Sequence, residues 1–103
     1  MRKLKDTIRE RTRRTNGHSL ARIIETLNDI LRGWFGYFKH SHRDAFTSID
    51  GWVRRRLRTI LRRRQHRRGL ARGADHQRWP NAYFQQMGLF TMVEAHRLLI
   101  QSH

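Results

Sequence analysis

Leu20-Ala21-Arg22-Ile23-Ile24-Glu25-Thr26-Leu27-Asn28-Asp29-Ile30-Leu31-Arg32-Gly33-Trp34-Phe35-Gly36-Tyr37-Phe38-Lys39 is the stretch that decides the fold. At about 100° per residue, Leu20, Ile23, Ile24, Leu27, Ile30, Leu31, Trp34, Phe35, Tyr37 and Phe38 fall in one arc about 160° wide, which predicts an amphipathic helix with a broad core face. Arg22, Glu25, Asn28, Asp29, Arg32 and Lys39 fill the remaining surface. Gly33 and Gly36 land on that polar side. Each costs about 1 kcal/mol of helix propensity relative to alanine. They read either as points where another backbone or a ligand comes close, or as tolerated surface glycines.

Upstream, Asn16-Gly17-His18-Ser19 is a break, with Asn-Gly favouring a turn and Ser19 placed to cap the helix that follows. Before it, residues 1–15 read as a short basic helix whose weak apolar edge is Leu4 and Ile8. Downstream, His40 to Asp44 is a polar connection, and a second amphipathic helix starts at about Ala45. Its stripe is Phe46, Ile49, Val53, Leu57, Ile60 and Leu61. No acidic residue lies between Asp50 and Asp75, and the helix is packed with arginine. Arg54, Arg55, Arg58 and Arg62 share one flank; Trp52, Arg56 and Arg63 share the other. Beyond Leu61 the stripe positions pass to Arg64, Arg67 and Arg68, so the helix ends there or projects from the body. Residues 69–79 read as a basic loop with Gly69 and Gly73 as breakers. Pro80 suits the first turn of a short helix, Asn81 to Met87, which Gly88 ends. Thr91 is placed to cap a last helix with Met92, Ala95, His96 and Leu99 on one face. No period-two alternation occurs. The expectation is an all-α single domain over residues 1–103: two long amphipathic helices with short N- and C-terminal helices.

The chain has 103 residues and a formal net charge of +15. A domain of this size has a modest core. Its like-charge excess is relieved by a polyanion or by salt. Cysteine is absent, which excludes disulfides and thiolate metal sites and fits a reducing, cytoplasmic setting. No segment approaches the ~20 apolar residues of a membrane span. Met1 to Lys5 has no apolar run behind it, so no secretory signal is expected. Binding to anionic lipid is a minor alternative, because the aromatic residues sit in helical patterns suited to a core.

Catalysis finds little support. The acids Asp6, Glu10, Glu25, Asp29, Asp44, Asp50, Asp75 and Glu94 are dispersed. None pairs within an apolar face as acid/base or metal-binding carboxylates would. There is no nucleophile turn and no phosphate-binding glycine loop. His40 and His42 are two apart and His76 follows Asp75, but no four-ligand set forms, so no metal and no cofactor is expected. His96 reads as a hydrogen-bonded core histidine. Most aromatic rings lie on core arcs. Trp52 and Trp79, set among cations, are the two assigned to base stacking.

Arginine outnumbers lysine heavily. Its planar fork binds phosphate through two bonds and stacks on bases. The nucleic-acid-binding set expected from the sequence is Arg13, Arg14, Arg32, Lys39, Arg54, Arg55, Arg56, Arg58, Arg62, Arg63, Arg64, Arg67 and Arg68.

Three blocks of sequence resemble the maturase-specific (thumb, or X) domain of group II intron-encoded reverse transcriptases. Leu27-Asn28-Asp29-Ile30-Leu31-Arg32-Gly33-Trp34-Phe35-Gly36-Tyr37-Phe38 is similar to that family's Leu-Asn-Pro-x-Leu-Arg-Gly-Trp-x-x-Tyr-Phe block. Ile49-Asp50, Trp52 and Arg54-Arg55-Arg56-Leu57-Arg58 follow its Leu-Asp-x-Trp and Arg-Arg-Arg-Leu-Arg pattern. Trp79-Pro80-Asn81-Ala82-Tyr83-Phe84, with Gly88-Leu89, is similar to its closing block. The resemblance implies a helical module whose partner is RNA, as group II intron RNA or an RNA/DNA duplex, and which also meets the fingers and palm of a reverse transcriptase. The family's Tyr-x-Asp-Asp carboxylates are absent, so a non-catalytic role is expected. Asp29 stands where the family usually has proline, and the stretch between Arg68 and Trp79 is short for it. A structural element that docks on a partner or forms a homo-oligomer is the alternative reading.

Overall fold

The computed structural model describes residues 2–13, 17–40, 43–64 and 77–101, and these are mostly helical. The helices are α1 (Arg2–Arg13), α2 (Leu20–Phe38), α3 (Arg43–Arg64), α4 (Asn81–Gln86) and α5 (Met92–Gln101). No strand occurs among the described residues, so the all-α expectation holds. Arg14, Arg67, Arg68, His42, His76 and residues 69–76 of the expected loop lie outside the described residues.

Helix α2 starts where the sequence places it: Ser19 has extended backbone, and its hydroxyl accepts from the Arg22 N–H at 3.2 Å. Ile23, Ile24, Leu27 and Leu31 are buried along it. Helix α1 contributes Leu4 and Ile8 and packs along α2. Helix α3 begins two residues before the expected Ala45 and continues through Arg64, burying Phe46, Ile49, Val53 and Leu57. Helix α5 packs along α3. Phe84, Leu89 and Met92 complete the core from the C-terminal side. A buried leucine or phenylalanine of this kind stabilises the fold by about 2–5 kcal/mol relative to alanine.

Helix α4 ends in a Schellman motif. Gly88 takes φ of 87°, its N–H donates to Gln85 O at 3.0 Å, and the Leu89 N–H donates to Phe84 O at 3.0 Å. Glycine suits that left-handed position because a Cβ is penalised there.

Two expectations change. At Gly33 and Gly36 an added Cβ would meet nothing within 4 Å, so no backbone comes close among the described residues. His96 is half-buried and packs on the Phe46 ring, with centroids 5.1 Å apart.

Candidate nucleic-acid interface

The arginines of α3 divide into three groups according to what its neighbouring helices demand. Arg58 is turned inward. Its residue is only 4% exposed, Nε donates to Trp79 O at 2.8 Å, and one terminal nitrogen donates to Asn81 Oδ1 at 2.8 Å. The guanidinium also lies 5.4 Å from the centroid of Phe84. The sequence put Arg58 with the phosphate-binding arginines. The structure corrects this: the side chain is spent fastening the Trp79–Phe84 segment to α3, because that segment has a carbonyl and an amide oxygen needing donors.

Arg56 faces α1. Nε donates to the Thr12 hydroxyl at 2.8 Å, and a terminal nitrogen donates to Arg9 O at 3.3 Å. Burial, and then the charges of Arg9, Arg63 and Arg13, push its pKa below the ordinary arginine value. It remains a cation, as arginine does in proteins. The α1–α3 seam is thus crowded with positive charge. Asp6 offsets part of it through an exposed contact with Arg9 at 3.1 Å.

The third group faces outward. Arg55, Arg63 and Arg64 are exposed; Arg54 and Arg62 are half-buried. Arg13, Arg32 and Lys39 are exposed on α1, α2 and the end of α2. Arg32 also lies 5.7 Å from the Phe90 ring centroid. Arg13, Arg56 and Arg63 thus belong to the α1–α3 side of the molecule, Arg55 is exposed on the outer face of α3, and Arg32 and Lys39 stand on a different helix.

Neither tryptophan singled out for stacking presents an open ring. Trp79 is 6% exposed and belongs to the core. Trp52 is half-buried beneath two cations, with Lys5 Nζ at 5.6 Å and Arg9 Cζ at 5.3 Å from its ring centroid. These two cations of the seam were not anticipated. They stand one turn apart on α1, and only the fold brings them to Trp52. The ring that is exposed is Tyr37, at 79%.

Two further polar side chains do structural work that the sequence reading missed. Asn28 bridges α2 to the α4–α5 connection: its Nδ2 donates to Gly88 O at 2.8 Å, and its Oδ1 accepts from the Phe90 N–H at 2.6 Å. Asp50 caps α5 from α3. Its oxygens accept from the Met92 N–H at 2.9 Å and the Val93 N–H at 3.0 Å. The first turn of α5 therefore finds its acceptor in another helix. Burial pushes the Asp50 carboxyl above the ordinary aspartate value, while the two N–H groups and Arg54 pull it back. A signal existed for Asp50, which sits four residues after Phe46 and three before Val53, on the apolar stripe itself.

Among the described residues, no group of three or more histidine or carboxylate side chains is placed to hold a metal ion. None of the described helices is long and apolar enough to cross a membrane.

Residues 1–79 match the sequence model of the family described as group II intron, maturase-specific domain. No curated protein and no solved structure matches the chain.

Proposed function

Because the chain belongs to the group II intron maturase-specific domain family and so has a maturase-related role in intron splicing, we propose that it is a non-catalytic module gripping RNA through the α1–α3 side of the bundle. One observation carries this reading. Arg63 and Arg13 are exposed beside the tethered Arg56, and Arg55 is exposed on the same helix, which has no acid after Asp50. Guanidinium groups arranged in this way meet successive phosphates with charge-assisted, paired hydrogen bonds. Such contacts hold a backbone without reading its sequence, so structured intron RNA and an RNA/DNA duplex are both suitable ligands. Arg62 and Arg64, farther along α3, add to the basic character of that helix in this reading, while Arg32, Arg54 and Lys39 are secondary contacts; Arg14, Arg67 and Arg68, outside the described residues, are proposed as contacts from the sequence alone. The sequence lacks the Tyr-x-Asp-Asp carboxylates of the polymerase, and primer extension by the isolated chain is expected to be blank.

The test is a gel-shift or anisotropy titration with structured intron RNA and with a duplex of unrelated sequence. The reading expects both to bind at low salt. Absence of binding at low salt would sink it.

A second reading, docking on the fingers and palm of a reverse transcriptase or on another copy of the chain, is favoured by Leu98 and Ile100, which are large, apolar and exposed on α5. Light scattering on the wild type and on a Leu98→Glu, Ile100→Glu variant tests self-association. A wild type that is monomeric at every concentration removes the homo-oligomer.

A further inference from the structure

The exposed ring of Tyr37 has no role in the core or in the arginine surface. It stands at the lip of a groove between α1 and α2. Lys3 and Thr7 form one wall; Ile30, Gly33, Trp34 and Phe38 form the other. Asp29 closes one end. The ring is exposed. Its plane stands nearly perpendicular to Trp34, at 76° with centroids 6.1 Å apart, and to Phe38, at 87° and 4.9 Å. Trp34 and Phe38 are themselves stacked at 5.5 Å and 13°. Tyr37 thus has aromatic neighbours on its inner side while most of its surface remains open to solvent.

Gly33 lies one turn before Tyr37 and Gly36 directly precedes it, and open space surrounds the Cβ position of each. The groove is open beside an aromatic face and is bordered by Lys3. Among the described residues of α1, α2 and α3, Tyr37 is the one large apolar side chain that is exposed, with Ile30, Trp34 and Phe38 partly buried beside it. An exposed aromatic ring with Lys3 in the groove beside it suits a planar ligand attached to phosphates.

We propose that Tyr37, with the Gly33–Gly36 opening and Lys3 beside it, is a stacking site for an unpaired base of a single-stranded nucleic acid segment. This rests on the reading that the ligand of the module is nucleic acid, and it adds a contact that the arginines do not make. Stacking requires a π face and not a particular base, so the site tolerates different sequences. It distinguishes unpaired from paired segments, because a base inside a duplex has both faces covered.

The experiment compares a single-stranded oligoadenylate of about eight nucleotides with a strand of the same length that keeps its phosphates and lacks its bases. Affinities are measured by anisotropy at one salt concentration, with circular dichroism verifying helical content. Wild type is expected to prefer the strand with bases. Tyr37→Ala should lose about five- to a hundred-fold on that strand, with little change on the abasic one, and Tyr37→Phe should restore binding. An Arg13→Gln, Arg55→Gln, Arg63→Gln variant should weaken on both strands alike. Wild type binding both strands equally would overturn the stacking site while leaving the phosphate surface intact. Tyr37→Ala binding like wild type would overturn it too, as would a variant that changes only self-association. Wild type binding neither strand would sink the site and the nucleic-acid reading together.

Discussion

Arg55 and Arg58 stand three residues apart on α3 and do different work. Arg55 is exposed, while Arg58 is buried with its fork closed on Trp79 and Asn81. Arg58→Lys keeps the charge but loses the fork, and is expected to destabilise the fold by about 1–3 kcal/mol in chemical denaturation. Arg55→Gln should stay within about 0.5 kcal/mol of wild type, as surface changes do. Equal losses at the two positions would contradict the division. Asp50→Ala removes the acceptor for two N–H groups of α5, at a cost of about 2 kcal/mol, or roughly 8–16 °C in Tm. Its carboxyl also gives a signed pH dependence. The folded value is raised, so the stability linked to this proton is full below the ordinary aspartate pKa and is lost as pH rises through the folded value. Denaturation across that window should show the advantage of wild type over Asp50→Asn narrowing as pH rises. A widening gap would reverse the assignment. At this scale the sequence was only partly legible. A helical wheel ranks Arg58 and Asn28 with the solvent-facing residues, because it cannot show that a later segment will lay its carbonyl and N–H groups across them.

The helices themselves were legible. Their starts and stops follow from local chemistry: Ser19 caps α2, and Gly88 closes α4 in a left-handed conformation. The start of α5 was less so, since the acceptor for its first N–H groups comes from a residue 42 positions earlier. The candidate site was legible in kind and not in membership. Arginine abundance identified α3, but which guanidiniums remain outward depends on α1 and on the Trp79–Val93 segment. The family match ends at residue 79, whereas Phe84, Leu89 and Met92 are core residues beyond it. Asn28, Asp50 and Arg58 each reach across to that segment. Each buried apolar side chain there is worth about 1.5–3 kcal/mol, against a total stability of about 5–15 kcal/mol. A chain cut after Trp79 is therefore expected to show no cooperative thermal transition by circular dichroism. A sharp transition near that of the whole chain would place α4 and α5 outside the folding unit.

At the scale of the whole molecule, charge is the dominant property. A net charge of +15 on 103 residues repels itself, and α3, 22 residues and so about 33 Å long, spreads part of that charge along one edge. Folding tethers Arg56 and Arg58 internally and leaves their neighbours turned outward, so stability and ligand binding draw on different members of one arginine run. The most direct test is the slope of log affinity for intron RNA against log salt concentration. If about six phosphates are neutralised, wild-type affinity should fall by about three decades between 50 and 200 mM salt. The Arg13→Gln, Arg55→Gln, Arg63→Gln variant, folded as wild type, should bind more weakly with a slope shallower by about 2.7. An unchanged slope and affinity in that variant would contradict the claim that these side chains hold the phosphate backbone.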